Sequence, residues 1–215
     1  MPNVIITISR QLGSGGSFIG KELARTLGYA YFDREILAMA TKKLGREEAS
    51  LEGREERLSA FIENLIRPFI LGSPETAYTP PPLLPVYDSE IFEAEEAVIR
   101  DVAGRHNAVI VGRGAFHILR EEPGLVNVFL HAPRKFRTGR VMELYEIKNM
   151  EEARSLIEDS DRNRGKFINA KTGANWTDAR NYDLCIETEK TGFEAARQMI
   201  TLLTQEVKAK KLGRS

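Results

Sequence analysis

Ser9-Arg10-Gln11-Leu12-Gly13-Ser14-Gly15-Gly16-Ser17 gathers glycines and small hydroxyl residues between a β-branched run and an amphipathic one. Glycines let a backbone close around an anion, and successive N–H groups at the mouth of a helix point at it. The chemistry within reach is the holding of phosphate oxygens, with Gly13, Ser14, Gly15, Gly16 and Ser17 as the cradle. Phosphoryl transfer asks little covalent work of a protein. It asks for two phosphates held in line and for cations around the transferring group. The chain supplies arginines that could serve, Arg10 at the start of the loop, Arg34 and Arg113 behind short apolar runs, and Arg137, Arg140, Arg162 and Arg164 in a charged stretch. Their planar forks suit phosphate better than lysine does.

The register of the loop decides which residue does what. The pattern G-x-x-x-x-G-K-[ST] nearly fits from Gly15 to Lys21, with Glu22 in the Ser/Thr slot. That fit pulls Ile19 out of its apolar stripe into the loop. An earlier register keeps the stripe whole, with Arg10 in the first glycine slot, Gly15 in the second, Gly16 in the lysine slot and Ser17 in the hydroxyl slot. The usual lysine is then absent. A charge-assisted hydrogen bond is worth about 1.5–3 kcal/mol, so another cation has to stand in for it. Arg10 is the first candidate, and Lys21 reads as a solvated residue of the second helical turn.

The elements that must position these residues alternate. Val4–Ile8, Ala108–Val111 and Val126–Leu130 are continuous apolar runs, as in strands buried on both faces. Tyr29–Phe32 and Asp183–Glu187 are shorter candidates. Ile19, Leu23 and Leu27 predict a helix from about Ser17 to Leu27 that ends at Gly28. Ile91, Ala94, Val98 and Val102 form a second stripe, and Phe193, Ala196, Ile200, Leu203 and Val207 a third. Strand–helix alternation predicts an α/β fold with a parallel sheet of about five strands. Two regions break the pattern. Residues 72–88 carry Pro74, Pro80, Pro81, Pro82 and Pro85, a loop or polyproline segment that either connects or covers a substrate. Residues 134–182 read as a charged helical excursion.

Composition narrows the function classes. In 215 residues Lys plus Arg and Asp plus Glu are both 31, a net charge of zero that argues against non-specific nucleic-acid binding. No apolar run approaches the ~18–20 residues of a membrane span, and no leader pattern opens the chain. The single Cys185 and the scattered His106, His117 and His131 predict neither a disulfide, a zinc site nor a Ser-His-Asp grouping. A cytoplasmic protein with no membrane and no nucleic-acid partner is expected.

Ile8-Ser9-Arg10-Gln11-Leu12-Gly13-Ser14-Gly15-Gly16 with Ile19, then Leu27-Gly28 and Tyr31-Phe32-Asp33, resembles the bacterial cytidylate-kinase-like family. Val109-Ile110-Val111-Gly112-Arg113-Gly114-Ala115, with Ile118-Leu119, is similar to its second signature. Asp161-Arg162-Asn163-Arg164, Trp176 and Tyr182-Asp183-Leu184 are similar to its third. The resemblance implies a three-layer nucleoside-monophosphate-kinase architecture with a five-stranded parallel sheet in the order 2-3-1-4-5. It implies one P-loop kinase-like domain over residues 1–215. An acceptor-binding insertion falls at about 34–90 and an arginine-bearing lid at about 134–182. Ordinary cytidylate kinases carry lysine where Gly16 stands and Asp-Gly-Arg-Asp where this chain reads Val111-Gly112-Arg113-Gly114. The family commonly has arginine where Ser17 stands.

The resemblance implies roles for residues. Arg10, Arg162 and Arg164 become the candidate catalytic cations, with Asp161 as the partner of Arg164. Asp33, Arg34 and Arg113 become candidate acceptor-binding residues at the C-terminal edge of the sheet, where open α/β folds bind ligands. For Asp33 a helix cap competes with that role, and for Arg113 an ion pair with a glutamate does. For the lid arginines the competitor is a solvated helix face, and for Trp176 both packing and base stacking stay open. ATP with Mg²⁺ is the expected cofactor. With no aspartate after Val111, Ser17, water and the nucleotide phosphates would hold the ion. Nucleotides are the expected partners, and a homodimer is left open. The implied function is ATP-dependent phosphorylation of a nucleoside monophosphate resembling CMP. The alternative is a nucleotide- or anion-binding regulatory module of the same fold, inactive for want of the lysine.

Overall fold

The computed structural model describes residues 3–34, 36 and 89–213. Strands β1 (Ile5–Arg10), β2 (Ala30–Phe32), β3 (Ala108–Val111), β4 (Leu125–His131) and β5 (Leu184–Glu187) pair in parallel in the order β2-β3-β1-β4-β5. This is the order that the resemblance implies. Ile8 pairs with both Val111 and Val128, so β3 ends there while β1 and β4 run on. The loops that follow all three strands open on one edge.

Continuous apolar strands need cover on both faces, and they have it. Ile6, Ile8, Val109 and Val111 pack against Ile19 and Leu23 of helix α1 (Gly16–Leu27). On the same face lie Ala196 and Ile200 of the C-terminal helix. Ile5, Ala108 and Ile110 face the other way, towards Val98, Ile99 and Val102 of helix α2 (Ser89–Arg105). Ile19 and Leu23, Val98 and Val102, and Ala196 and Ile200 of the three sequence stripes therefore mark buried sides of these helices. Gly28, at φ +66, closes α1 as expected, whereas α2 runs on through Gly104 to Arg105.

A short helix α3 (Ala115–Ile118) follows β3. The charged excursion resolves into α4 (Arg134–Leu144), α5 (Met150–Thr172) and a 3₁₀ turn at Ala179–Asn181. A short α6 (Thr188–Thr191) and α7 (Phe193–Leu212) complete the chain. The fifth strand starts at Leu184. Asp183 instead turns its carboxylate to the N–H of Asn127, at 2.7 Å. The proline-rich stretch 72–88 and most of the insertion expected at about 34–90 lie outside the described residues. No helix among the described residues is long and apolar enough to cross a membrane. Cys185 is an exposed free thiol.

Candidate active site

The loop between β1 and α1 is shaped by close approaches. Gly13 and Gly15 have φ of +84° and +86°, where L side chains are strained. A Cβ on Gly13 would sit 2.8 Å from the carbonyl oxygen of Arg137, and one on Gly15 2.6 Å from the Phe193 ring. Ser14 is fully buried. Its hydroxyl lies between the carbonyls of Gln11 and Leu130, at 2.9 and 3.1 Å, and Thr188 donates to its carbonyl at 2.9 Å. With its N–H also bonded to the Gln11 carbonyl at 3.2 Å, Ser14 braces the loop and, against expectation, does not line the cavity. Gly13, Gly15, Gly16 and Ser17 line an open cavity of about 380 Å³ at the edge of the sheet.

Arginines from separate segments meet at this cavity. Arg10 reaches it from the end of β1, Arg34 from behind β2, Arg113 from behind β3, Arg140 from α4 and Arg164 from α5. The stem of Arg10 fills the space where a side chain at Gly16 would begin, and its guanidinium lies against Gly112. Arg164 donates to the Arg10 carbonyl at 2.8 Å and to Asp161 at 3.0 Å, with its guanidinium 5.4 Å from the Trp176 ring. Arg140 lies 4.3 Å over the ring of Phe193. Asp33 also lines the cavity, and it caps the turn that follows β2 by accepting from the Ile36 N–H at 3.2 Å. The cap and the cavity position coexist.

Two expected residues are placed otherwise than the sequence suggests. Arg162 does not line the cavity, although Asp159 beside it does. Its side chain is 58% exposed and pairs with Asp159 at 3.0 Å along α5. Arg113 lines the cavity but is buried, at φ +55, with its guanidinium 4.8 Å from the Phe167 ring. Its Nε donates to Glu95 at 2.6 Å and its Nη2 donates to the same oxygen. Glutamate pairing was the alternative for Arg113, though the pair lies inside the protein. Burial pushes the Glu95 carboxyl above its ordinary value, against the downward pull of Arg113 and, more weakly, Arg34. Trp176 packs edge-on against Phe129 and beneath Gly165, and does not line the cavity.

Sequence reasoning missed Glu95 and undervalued Asp161 and Arg137. Glu95 sits four residues after Ile91 and three before Val98, on the apolar stripe of α2. A carboxylate on a buried face signals a buried partner. Asp161 gathers three donors: the Leu12 N–H at 3.0 Å, Arg137 at 2.7 Å and Arg164 at 3.0 Å. Arg137 also donates to the carbonyls of Leu12 and Ala132, at 3.1 and 3.0 Å. Asp161 and Arg164 continue the stripe of Ala153, Ile157 and Ile168 on α5, and that position was the available signal.

The model of the cytidylate kinase-like family matches residues 5–190. The chain belongs to the cytidylate kinase-like family. Among solved structures it is similar to an uncharacterized protein from Eubacterium ventriosum, with a TM-score of 0.70 and 23% identity over 94% of this chain and 99% of that one. It is also similar to a shikimate kinase from Bacteroides thetaiotaomicron, with a TM-score of 0.51 and 16% identity over 94% and 98% of the two chains. A gluconokinase from Sinorhizobium meliloti gives a TM-score of 0.51 and 16% identity over 97% of each chain. These likenesses show the fold of P-loop kinases. No curated protein matches. For this cytidylate kinase-like chain, family and fold together support a P-loop kinase, a phosphotransferase with nucleotide substrates.

Proposed function

We propose that this chain transfers the γ-phosphoryl group of ATP to a nucleoside monophosphate of the CMP kind. The observation that carries the reading is the convergence of a glycine-rich phosphate loop and five arginines from separate segments on one cavity at the C-terminal edge of the sheet. The choice of CMP rests on the family. The chain acts as one kinase-like domain in the cytoplasm, with about 34–90 meeting the acceptor and about 134–182 serving as the lid.

In this reading the backbone N–H groups of Gly13, Gly15, Gly16 and Ser17 hold the ATP phosphates at the mouth of α1. Arg10 and Arg164 neutralise the transferring group, and Asp33 and Arg34 orient the acceptor. Arg113, held by Glu95, shapes the wall beneath it. An oxygen of the acceptor phosphate forms the new bond to the γ-phosphorus as the bond to the β,γ-bridging oxygen breaks. ADP and a nucleoside diphosphate leave. Mg²⁺ bound to the nucleotide would supply further positive charge. The residues present fit it as an ion carried mainly by phosphates and water, with the Ser17 hydroxyl in the cavity as the protein's ligand.

A second reading, a binding module without transfer, is favoured by the absent lysine and by the partners that Arg113 and Arg164 already hold. ADP release with ATP, Mg²⁺ and a panel of nucleoside monophosphates decides between them. Turnover with CMP or one close analogue, lost in Arg10→Ala, is the expected result. Tight ATP binding by calorimetry with no turnover on any acceptor would establish the binding module instead.

A further inference from the structure

We propose that the cation and the glycine of this phosphate loop have exchanged places, so that the positive charge enters from position 10, the glycine stands at position 16, and each residue requires the other. The proposal rests on the phosphoryl-transfer reading above and says how the loop works without its lysine.

The first observation is steric. A Cβ on Gly16 would fall 2.6 Å from both Cβ and Cγ of Arg10. Non-bonded carbons prefer about 3.5–4.0 Å. Of these two atoms Cβ is fixed to β1 by the backbone and cannot swing aside as a flexible tip would. While Arg10 is present, a lysine at position 16 has no room to leave the backbone. The second observation is where the charge ends. Beyond Gly16 the guanidinium lies in the space that a Cβ on Gly112 would take. The Gly112 N–H is bonded to the Ile8 carbonyl at 3.0 Å, so this turn is tied to β1 itself. Two glycines from different turns thus flank one arginine. Its charge stays in the cavity, between the phosphate loop and the turn that bears Arg113.

The third observation is arithmetic on the sequence. Arg10→Gly with Gly16→Lys would turn residues 10–17 into G-Q-L-G-S-G-K-S, which satisfies G-x-x-x-x-G-K-[ST] at every position. Two departures from the pattern are therefore one reciprocal change.

The test is a cycle of wild type, Arg10→Gly, Gly16→Lys and the double variant, with Gly16→Ala in both backgrounds. Each protein is measured for thermal midpoint, for ATP affinity by calorimetry and for ADP release with ATP, Mg²⁺ and CMP. Arg10→Gly is expected to weaken ATP binding and turnover by about 10- to 100-fold, the worth of one charge-assisted hydrogen bond. Gly16→Lys alone should fall below wild type in both midpoint and turnover. The double variant should regain most of what Arg10→Gly lost. Gly16→Ala should lower the midpoint in wild type and much less in the Arg10→Gly background, because contacting residues are not additive. Additive midpoints, or a double variant no better than Arg10→Gly, would overturn the exchange while an active wild type kept the kinase reading. A wild type that binds no nucleotide would overturn the kinase reading itself, and the midpoint cycle would still report whether positions 10 and 16 interlock.

Discussion

Arg113 and Glu95 make the clearest case at the scale of single residues. A buried ion pair is weak evidence of stability, because desolvation offsets attraction. Here burial outweighs the pull of Arg113 and holds the Glu95 carboxyl above its ordinary value, so its ionised form costs the native state. The pair earns its place by fixing where Arg113 lies. Glu95→Ala removes the carboxylate that pairs with a buried guanidinium and should cost about 3–5 kcal/mol in denaturant unfolding. Glu95→Gln keeps an acceptor for Arg113 without the charge and should cost clearly less. The pH dependence has a definite sign. With the folded value above the unfolded one, the native state takes up a proton that the unfolded chain does not, and the gain grows as pH falls from neutrality towards that of an ordinary carboxylate. Wild type should therefore gain stability relative to Glu95→Gln between pH 7 and pH 5. Unfolding curves at the two pH values that show a constant gap, or a reversed one, would contradict this balance. Glu95 was legible as a charge on an apolar stripe. What no spacing could tell was that its partner would come from position 113, because that contact exists only once β3 and α2 have packed.

Strands and helices differ in how far the sequence announces them. The central strands β1 and β3 are buried on both faces, so their runs are unbroken and easily read. The α4 and α5 pair is anchored differently. Its own apolar cluster is small, centred on Val141, Ala153 and Ile157 with Leu12 of the phosphate loop packed against it, and the rest of its tie to that loop is polar. Asp161 on α5 holds the Leu12 N–H, Arg137 on α4 and Arg164, and Arg164 in turn holds the Arg10 carbonyl. Such an anchor leaves little mark in hydropathy, which is why the region reads only as a charged excursion and why only the family pattern, which pairs Arg164 with Asp161, set Arg164 apart from Arg162. One now faces solvent and the other lines the cavity. Removing the hub should loosen the loop and the helix pair together. Asp161→Ala should cost about 3–5 kcal/mol, leaving two largely buried arginines without a counter-charge. Hydrogen exchange should show lost amide protection at Leu12 and along the facing turns of α5, with β3 unchanged. Loss of protection confined to α5 would mean that Asp161 braces the helix without holding the loop.

The whole molecule is neutral, yet its cavity is not. Among the described residues five arginines and two aspartates line it, while Lys plus Arg and Asp plus Glu are equal at 31 each along the chain. A cleft with an excess of one sign and low-dielectric walls concentrates field lines on the ligand it faces. The neutral balance first argued against a nucleic-acid binder, and the cavity gathers arginines where a phosphate would sit, with Arg113 and Arg164 already paired to Glu95 and Asp161. Recognition should then begin with phosphate and not with the base. Inorganic tripolyphosphate at about a hundred times its dissociation constant should add roughly 2.7 kcal/mol of stability. In a chain of this size that is a rise of about 5–10 °C in thermal midpoint. Cytidine at the same concentration should produce no comparable rise. The tripolyphosphate effect should shrink between 10 and 150 mM salt, as the screening length falls from about 30 Å to about 8 Å. A cytidine shift as large as that of tripolyphosphate, and insensitive to salt, would mean that the base leads binding and that the gathered arginines serve the fold more than the ligand.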